Sequence, residues 1–280
     1  MALSIHTNYA SLVTQSNLNK TNGNLSTAQQ RLGTGYRVNS AADDAAGLQI
    51  ATRLNAQSRG MDVASRNTGD AISLLQTAEG AFTEITDITQ RLKDLATQAA
   101  SDTNSADDRT ALQGEFDALA LEMENIFQNT TYAGEKLFDT GGKLQAGPVN
   151  FQIGATADET LAFDATAKVD GMATLITDIK ALTLDDATNA GAAITALADG
   201  LDDIGALRAD FGANINRLNH TANNLANMKD NTDVARGRIM DADFASESAS
   251  MTKNSMLMQS GISMLRQSGQ MPSMVMSLLG

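Results

Sequence analysis

Cysteine is absent from the 280 residues, which excludes disulfides, thiolate nucleophiles and sulfur-ligated metal sites together. Tryptophan is absent too, and aromatic residues make up only 4% of the chain. Large aromatics commonly anchor globular cores and ligand pockets, so a core of Ala, Leu, Ile and Met at helical spacing is expected instead. Proline occurs only at Pro148 and Pro272. Basic charge is scarce: 20 Lys and Arg stand against 33 Asp and Glu, a net charge of −13. Such a chain is a poor candidate for nucleic-acid binding, which needs clustered cations against phosphate. No apolar run approaches the roughly 18–20 residues needed to cross a bilayer, so no membrane insertion is expected. The opening stretch MALSIHTNYASLVTQ has neither a basic region nor a continuous apolar one, and no cleavable secretory signal is expected. The length admits one large domain or two ordinary ones.

Acid is also missing from the two ends. Residues 1–42 and 248–280 contain no Asp or Glu, so the acid excess falls in the middle. That distribution fits two readings: an acidic surface that aids solubility with two polar tails, or a solvated middle and two ends that meet each other and other copies of the chain.

Apolar periodicity supports this division. Leu18, Leu25 and Leu32 recur every seven residues, a thin stripe on a helix otherwise made of Asn, Thr, Ser and Gln. Alone it buries too little to offset the entropy of ordering it. Gly33 and Gly35 end it, as left-handed caps do, and the acids Asp43 and Asp44 suit the start of a new helix. From Ile72 to Ala99 the stripe Leu75, Ala78, Phe82, Ile85, Ile88, Leu92, Leu95, Ala99 predicts a helix about 40 Å long. Leu112, Phe116, Leu119, Met123 and Ile126 repeat the pattern after a turn, predicting an antiparallel hairpin with a coiled-coil-like seam.

Glycines and the alternation in Val149–Ile153 then predict a small β-hairpin, with Leu161–Phe163 as the second strand, while residues 171–191 read equally as a short helix or as loops. Helical spacing returns at Ile194 and continues through Leu197, Leu201, Ile204, Phe211, Ile215, Leu218 and Leu225, with Arg208 where an apolar residue is expected. The last stripe is Leu257, Met264, Met271, Val275 and Leu278. Seven of the thirteen methionines lie in residues 251–280; methionine adapts to irregular neighbours. The predicted fold is mainly α, an elongated antiparallel helical bundle with paired terminal helices and a small β-hairpin region.

Chemistry is hard to find. His6 and His220 have no companion ligands, and no phosphate loop, zinc motif or nucleophile elbow occurs. Asp107–Asp108 and Asp202–Asp203 are adjacent on predicted helices and so diverge. No enzyme activity, cofactor or metal is expected.

Several long motifs resemble those of the bacterial flagellins. Residues 30–48, QRLGTGYRVNSAADDAAGL, are similar to the family's N-terminal signature, and so are QTAEGA at 76–81 and QRLKDLATQ at 90–98. The second half adds FGANINRL at 211–218, RIMDADFASE at 238–247 and the closing SLLG at 277–280. Gly237 stands where the family usually has Ser.

The resemblance implies a subunit that is exported unfolded and self-assembles into a helical tubular filament for motility, secreted and extracellular. It implies an inner domain of residues 1–44 and 236–280, whose ends order on assembly. It also implies an outer helical domain, 45–235, with a β-rich segment at about 139–190 in place of bulky outer domains. Its partners would be many copies of itself, the flagellar cap and hook–filament junction proteins, an export chaperone and a host innate immune receptor. The inner assembly interface would comprise Leu18, Leu25, Leu32, Leu257, Met264, Met271, Val275 and Leu278. A stacking and receptor-like outer surface would comprise Gln90, Arg91, Leu95, Gln98 and Glu115. Two other readings are a hook–filament junction protein, which shares terminal sequences, and a signalling coiled coil. The second needs an uninterrupted heptad hairpin, which residues 129–170 break.

Overall fold

The structure, a computed structural model, describes residues 8–279 in backbone and 8–270 in side chains. The described residues form six helices: α1 (Tyr9–Thr34), α2 (Ala45–Ala99), α3 (Ala106–Asn129), α4 (Thr166–Lys180), α5 (Ala187–Met240) and α6 (Phe244–Leu279). Between α3 and α4 lie two antiparallel hairpins. The first pairs β1 (Thr131–Tyr132) with β2 (Glu135–Lys136); the second pairs β3 (Val149–Gln152) with β4 (Thr160–Phe163). The chain forms two compact units. One comprises the chain up to Ala56 and from Asn231 onward; the other is Gln57–Asp230.

In the first unit α1 runs antiparallel to α6. Asn8 Nδ2 donates to the Ser268 carbonyl at 2.8 Å, and Arg31 pairs with Glu247 at 2.9 Å. Further along, the Arg37 N–H donates to the Met240 carbonyl and the Ala242 N–H to that of Gly35. Partner numbers fall as residue numbers rise, so one register holds throughout. Gly35, with φ of +75°, closes α1 through its N–H to the Arg31 carbonyl, a conformation that disfavours a side chain.

The asparagine–serine–acid motif after α1 is a set of clamps. Asp43 accepts from the N–H groups of Asn39 and Ser40 and from the Ser40 hydroxyl. Asp44 stands just before α2 and accepts from the Gly47 N–H at 2.8 Å, capping the helix. A Cβ on Gly47 would lie 2.3 Å from the Asp44 carboxylate, so this glycine lets the cap close. Across the unit Arg37 donates to the Ile239 carbonyl at 2.7 Å, and α5 runs unbroken through Gly237.

The Ser40 N–H, then that of Asn39, holds the Asp43 carboxyl below its ordinary value of 3.8. A carboxylate favoured by the fold supports it at higher pH and loses that support when protonated. The clamp is therefore expected to be complete above pH 3.8 and to open as pH falls through the depressed value. Faster amide exchange at Asn39 and Ser40 on acidification, reproduced at neutral pH by Asp43→Asn, is the expected result. Equal protection in parent and variant at neutral pH would contradict it.

In the second unit α2 and α3 form the expected antiparallel hairpin: Arg91 meets Glu115, Thr89 meets Met123, and Arg109 donates to the Ala99 carbonyl. Ser105 and Asp108 make a reciprocal capping box at the start of α3. The few aromatics are concentrated rather than absent from the core. Phe82, fully buried, has ring centroids of Phe138, Phe211 and Phe127 at 5.0, 5.8 and 6.5 Å. Phe163 joins through Phe211 at 5.7 Å.

Arg208, out of place in the apolar stripe of α5, crosses to α2, where it pairs with Glu79 and donates to Thr83 and Thr86. The second hairpin has the expected strands, with Val149 opposite Phe163 and Gln152 opposite Thr160. The segment around 139–190 is less β-rich than expected: helix begins again at Thr166 and, after a short loop, at Ala187. Val169, Met172, Ile176 and Ile179 are buried at helical spacing, and that stripe makes the region beyond the hairpin a helix.

Candidate assembly surface

Two sets of apolar side chains on the α1–α6 pair have different surroundings. Leu18, Leu25 and Leu32 are half-buried along the seam, with Ala28 fully buried among them. Leu18 packs over Gly261, where an added Cβ would come within 2.6 Å of its Cδ1. The α6 side of the seam is lined by Met251, Met258 and Leu265, all half-buried. Leu257 and Met264 fall outside it, 48% and 63% exposed. Met256 is 59% exposed, and Ile262, Tyr9, Leu12 and Val13 add to the uncovered apolar surface. The side chains of Met271, Val275 and Leu278 lie outside the described residues.

Sequence spacing missed Met256, Ile262, Tyr9 and Leu12, because none of them falls on the seven-residue repeat. The charge around them is simple. From the start of α1 to Ala42 and from Ser248 onward there is no acid, and Glu247 at the base of α6 is paired with Arg31. Acid-free surface with exposed Leu and Met suits burial against further polypeptide, since no carboxylate has to be desolvated.

The second surface is on α2 and α3. Arg91 and Glu115 form an exposed ion pair at 2.5 Å, and Gln90 and Gln98 are exposed. Leu95 must be removed from that surface: it is 1% exposed and belongs to the hydrophobic core. Its place in the stripe between Leu92 and Ala99 overrides the motif in which it stands.

Neither surface holds a reactive arrangement. Among the described residues no group of three His, Asp or Glu could hold a metal ion, and His220 lies exposed on α5. The lowered carboxyls of Asp43, Asp108, Asp139, Glu159 and Asp185 each owe their shift to hydrogen bonds within a cap or turn. No helix among the described residues is long and apolar enough to cross a membrane. Paired terminal helices with exposed apolar side chains on α6 are the features of a chain built to pack against further polypeptide.

Comparison with known proteins gives the family. Residues 5–142 match the bacterial flagellin N-terminal helical region and residues 194–279 the C-terminal helical region. The chain is 41% identical to a flagellin of Halalkalibacterium halodurans over 252 residues, 90% of each chain. It is 34% identical to Flagellin A of Vibrio anguillarum over 378 aligned positions, all of both chains, so that relative carries insertions. A solved structure, a putative flagellar hook-associated protein from Vibrio parahaemolyticus, superposes with a TM-score of 0.58 at 14% identity. It covers 71% of this chain and 100% of its own, a likeness of fold alone. The chain belongs to the bacterial flagellins. It is a structural subunit of the extracellular flagellar filament, a homopolymer that serves motility, and not an enzyme.

Proposed function

We propose that the α1–α6 pair is the element through which copies of this chain join. Leu18, Leu25 and Leu32 hold the pair together within one chain. Leu257 and Met264 face neighbouring copies, and residues 1–44 and 236–280 serve as the inner domain and 45–235 as the outer helical domain of the subunit. The observation that supports this most directly is the exposure of Leu257 and Met264 on a stretch of α6 that carries no acid beyond Glu247, which is paired with Arg31. A head-to-tail contact repeated without closure gives a helical filament by symmetry. Burying such a face also adds to the energy that keeps a thin polar helix ordered.

Elongation of short filament seeds tests the proposal. The full-length chain is expected to grow long uniform tubes, and a chain lacking residues 1–40 and 250–280 is expected to stay soluble. Growth of the truncated chain at a similar rate would remove the terminal pair from assembly.

The exposed Arg91–Glu115 pair, with Gln90 and Gln98, supports a second contact surface used in stacking between copies and in capture by a host innate immune receptor. Arg91→Ala removes an exposed ion pair and should change unfolding stability by less than about 1 kcal/mol. Receptor signalling is expected to be lost while seeds still elongate. Loss of elongation with signalling intact would assign the surface to stacking alone. The flagellar cap, the hook–filament junction proteins and an export chaperone complete the proposed partners.

A further inference from the structure

The chain has no thiol, so its soft oxidisable sulfur is all methionine. Those methionines fall into sharply different surroundings. Met61, Met123 and Met172 are at most 2% exposed in the second unit, and Met123 also accepts a hydrogen bond from the Thr89 hydroxyl. Met251 and Met258 are half-buried in the seam. Met256 and Met264 stand 59% and 63% exposed on α6. Susceptibility of a thioether to oxidation follows its access to solvent, and the most accessible pair among the described side chains stands on α6, the helix whose exposed side assembly would cover.

We infer that Met256 and Met264 form a sulfoxidation site through which hydroperoxides block incorporation of the free chain into filaments. This rests on the assembly role proposed above. In the reaction the thioether sulfur attacks the distal oxygen of hydrogen peroxide and the O–O bond breaks. Sulfur is oxidised by two electrons to the sulfoxide, and the departing hydroxide takes the remaining proton to leave as water. The product places a strong, dipolar acceptor where an apolar side chain stood, and burying it without a donor is unfavourable. Methionine sulfoxide is reducible enzymatically, so the block can be lifted. Once the face is covered by a neighbouring copy the sulfur is shielded, which makes the growing pool sensitive and the finished polymer resistant.

The test uses the full-length chain and hydrogen peroxide, with peptide mapping by mass spectrometry and seed elongation as readouts. In the free chain Met256 and Met264 are expected to oxidise on the order of tenfold or more faster than Met61, Met123 and Met172, which need local opening first. The treated chain is expected to need about tenfold more protein to elongate seeds for each sulfoxide buried. A Met256→Leu, Met264→Leu chain keeps the apolar volume and is expected to elongate normally before and after peroxide. Met228→Leu, which changes the exposed methionine of α5, is expected to leave the sensitivity in place. Slow oxidation at Met256 and Met264, or equal loss of elongation in the double Leu variant, would overturn the inference. The underlying assembly reading fails separately, if filaments grown from untreated chain oxidise at these two residues as fast as the free chain does.

Discussion

Phe82→Ala is expected to destabilise the second unit by about 3–5 kcal/mol, the range for emptying a fully packed aromatic site. The ring is fully buried and has three other rings at centroid distances between 5.0 and 6.5 Å. Each partner comes from a different part of the chain: Phe127 from α3, Phe138 from the loop after the first hairpin, and Phe211 from α5. Phe127 and Phe138 stack on each other at 5.4 Å and Phe211 meets Phe163 at 5.7 Å, so Phe82 is the ring that links these two pairs. A loss of this size is a large share of the roughly 5–15 kcal/mol that holds a domain folded. Urea unfolding followed by far-ultraviolet circular dichroism measures it; a shift below about 1 kcal/mol would mean that the cluster refills the space.

The second large effect separates the two sides of α6. A Leu257→Asp, Met264→Asp chain should keep its helix content and its intrachain register, since both positions point away from α1. Its seeds should fail to elongate, the concentration needed rising about a hundredfold or more, because each contact would bury an unpaired charge. Leu18→Asp with Leu25→Asp should act differently. It places charge in the seam, so helix content falls in the free chain as the pair separates, and elongation fails as a consequence. Normal growth of the Leu257→Asp, Met264→Asp chain would show that neighbours never cover that side.

These two sides also mark where the sequence stops being legible. Leu257 and Met264 are seven residues apart, and so are Met251, Met258 and Leu265. Both rows have the spacing of a helical seam, and only the register against α1 decides that the second row faces the partner within the chain. The α2–α3 hairpin was readable because its stripe is dense and unambiguous, and the same stripe correctly assigns Leu95 to the core although the motif around it reads as surface. Helix α4 was obscured for local reasons. It follows a strand, contains Gly171 and several threonines, and has Ala165 at its N-cap, with no side-chain cap, so the usual start signal is missing. Arg208 looked like a defect in its stripe because its acceptors lie more than a hundred residues away, at Glu79, Thr83 and Thr86.

The hydrogen bond that ties Asn8 to Ser268 spans 260 positions, and the ion pair of Arg31 with Glu247 spans 216. Closing so long a loop adds little extra free energy, because the entropic cost grows only with the logarithm of length. Its consequence is one of timing. A chain emerging from a conduit end first has no partner for its leading terminal helix until nearly the last residue has followed. The α2–α3 hairpin can close early, between neighbours in sequence, whereas α1 waits for α6. On the assembly role proposed for it, the terminal pair would work as a completion check: a truncated or half-delivered molecule could not form it, and only a whole chain would become competent to add to the end of a growing polymer.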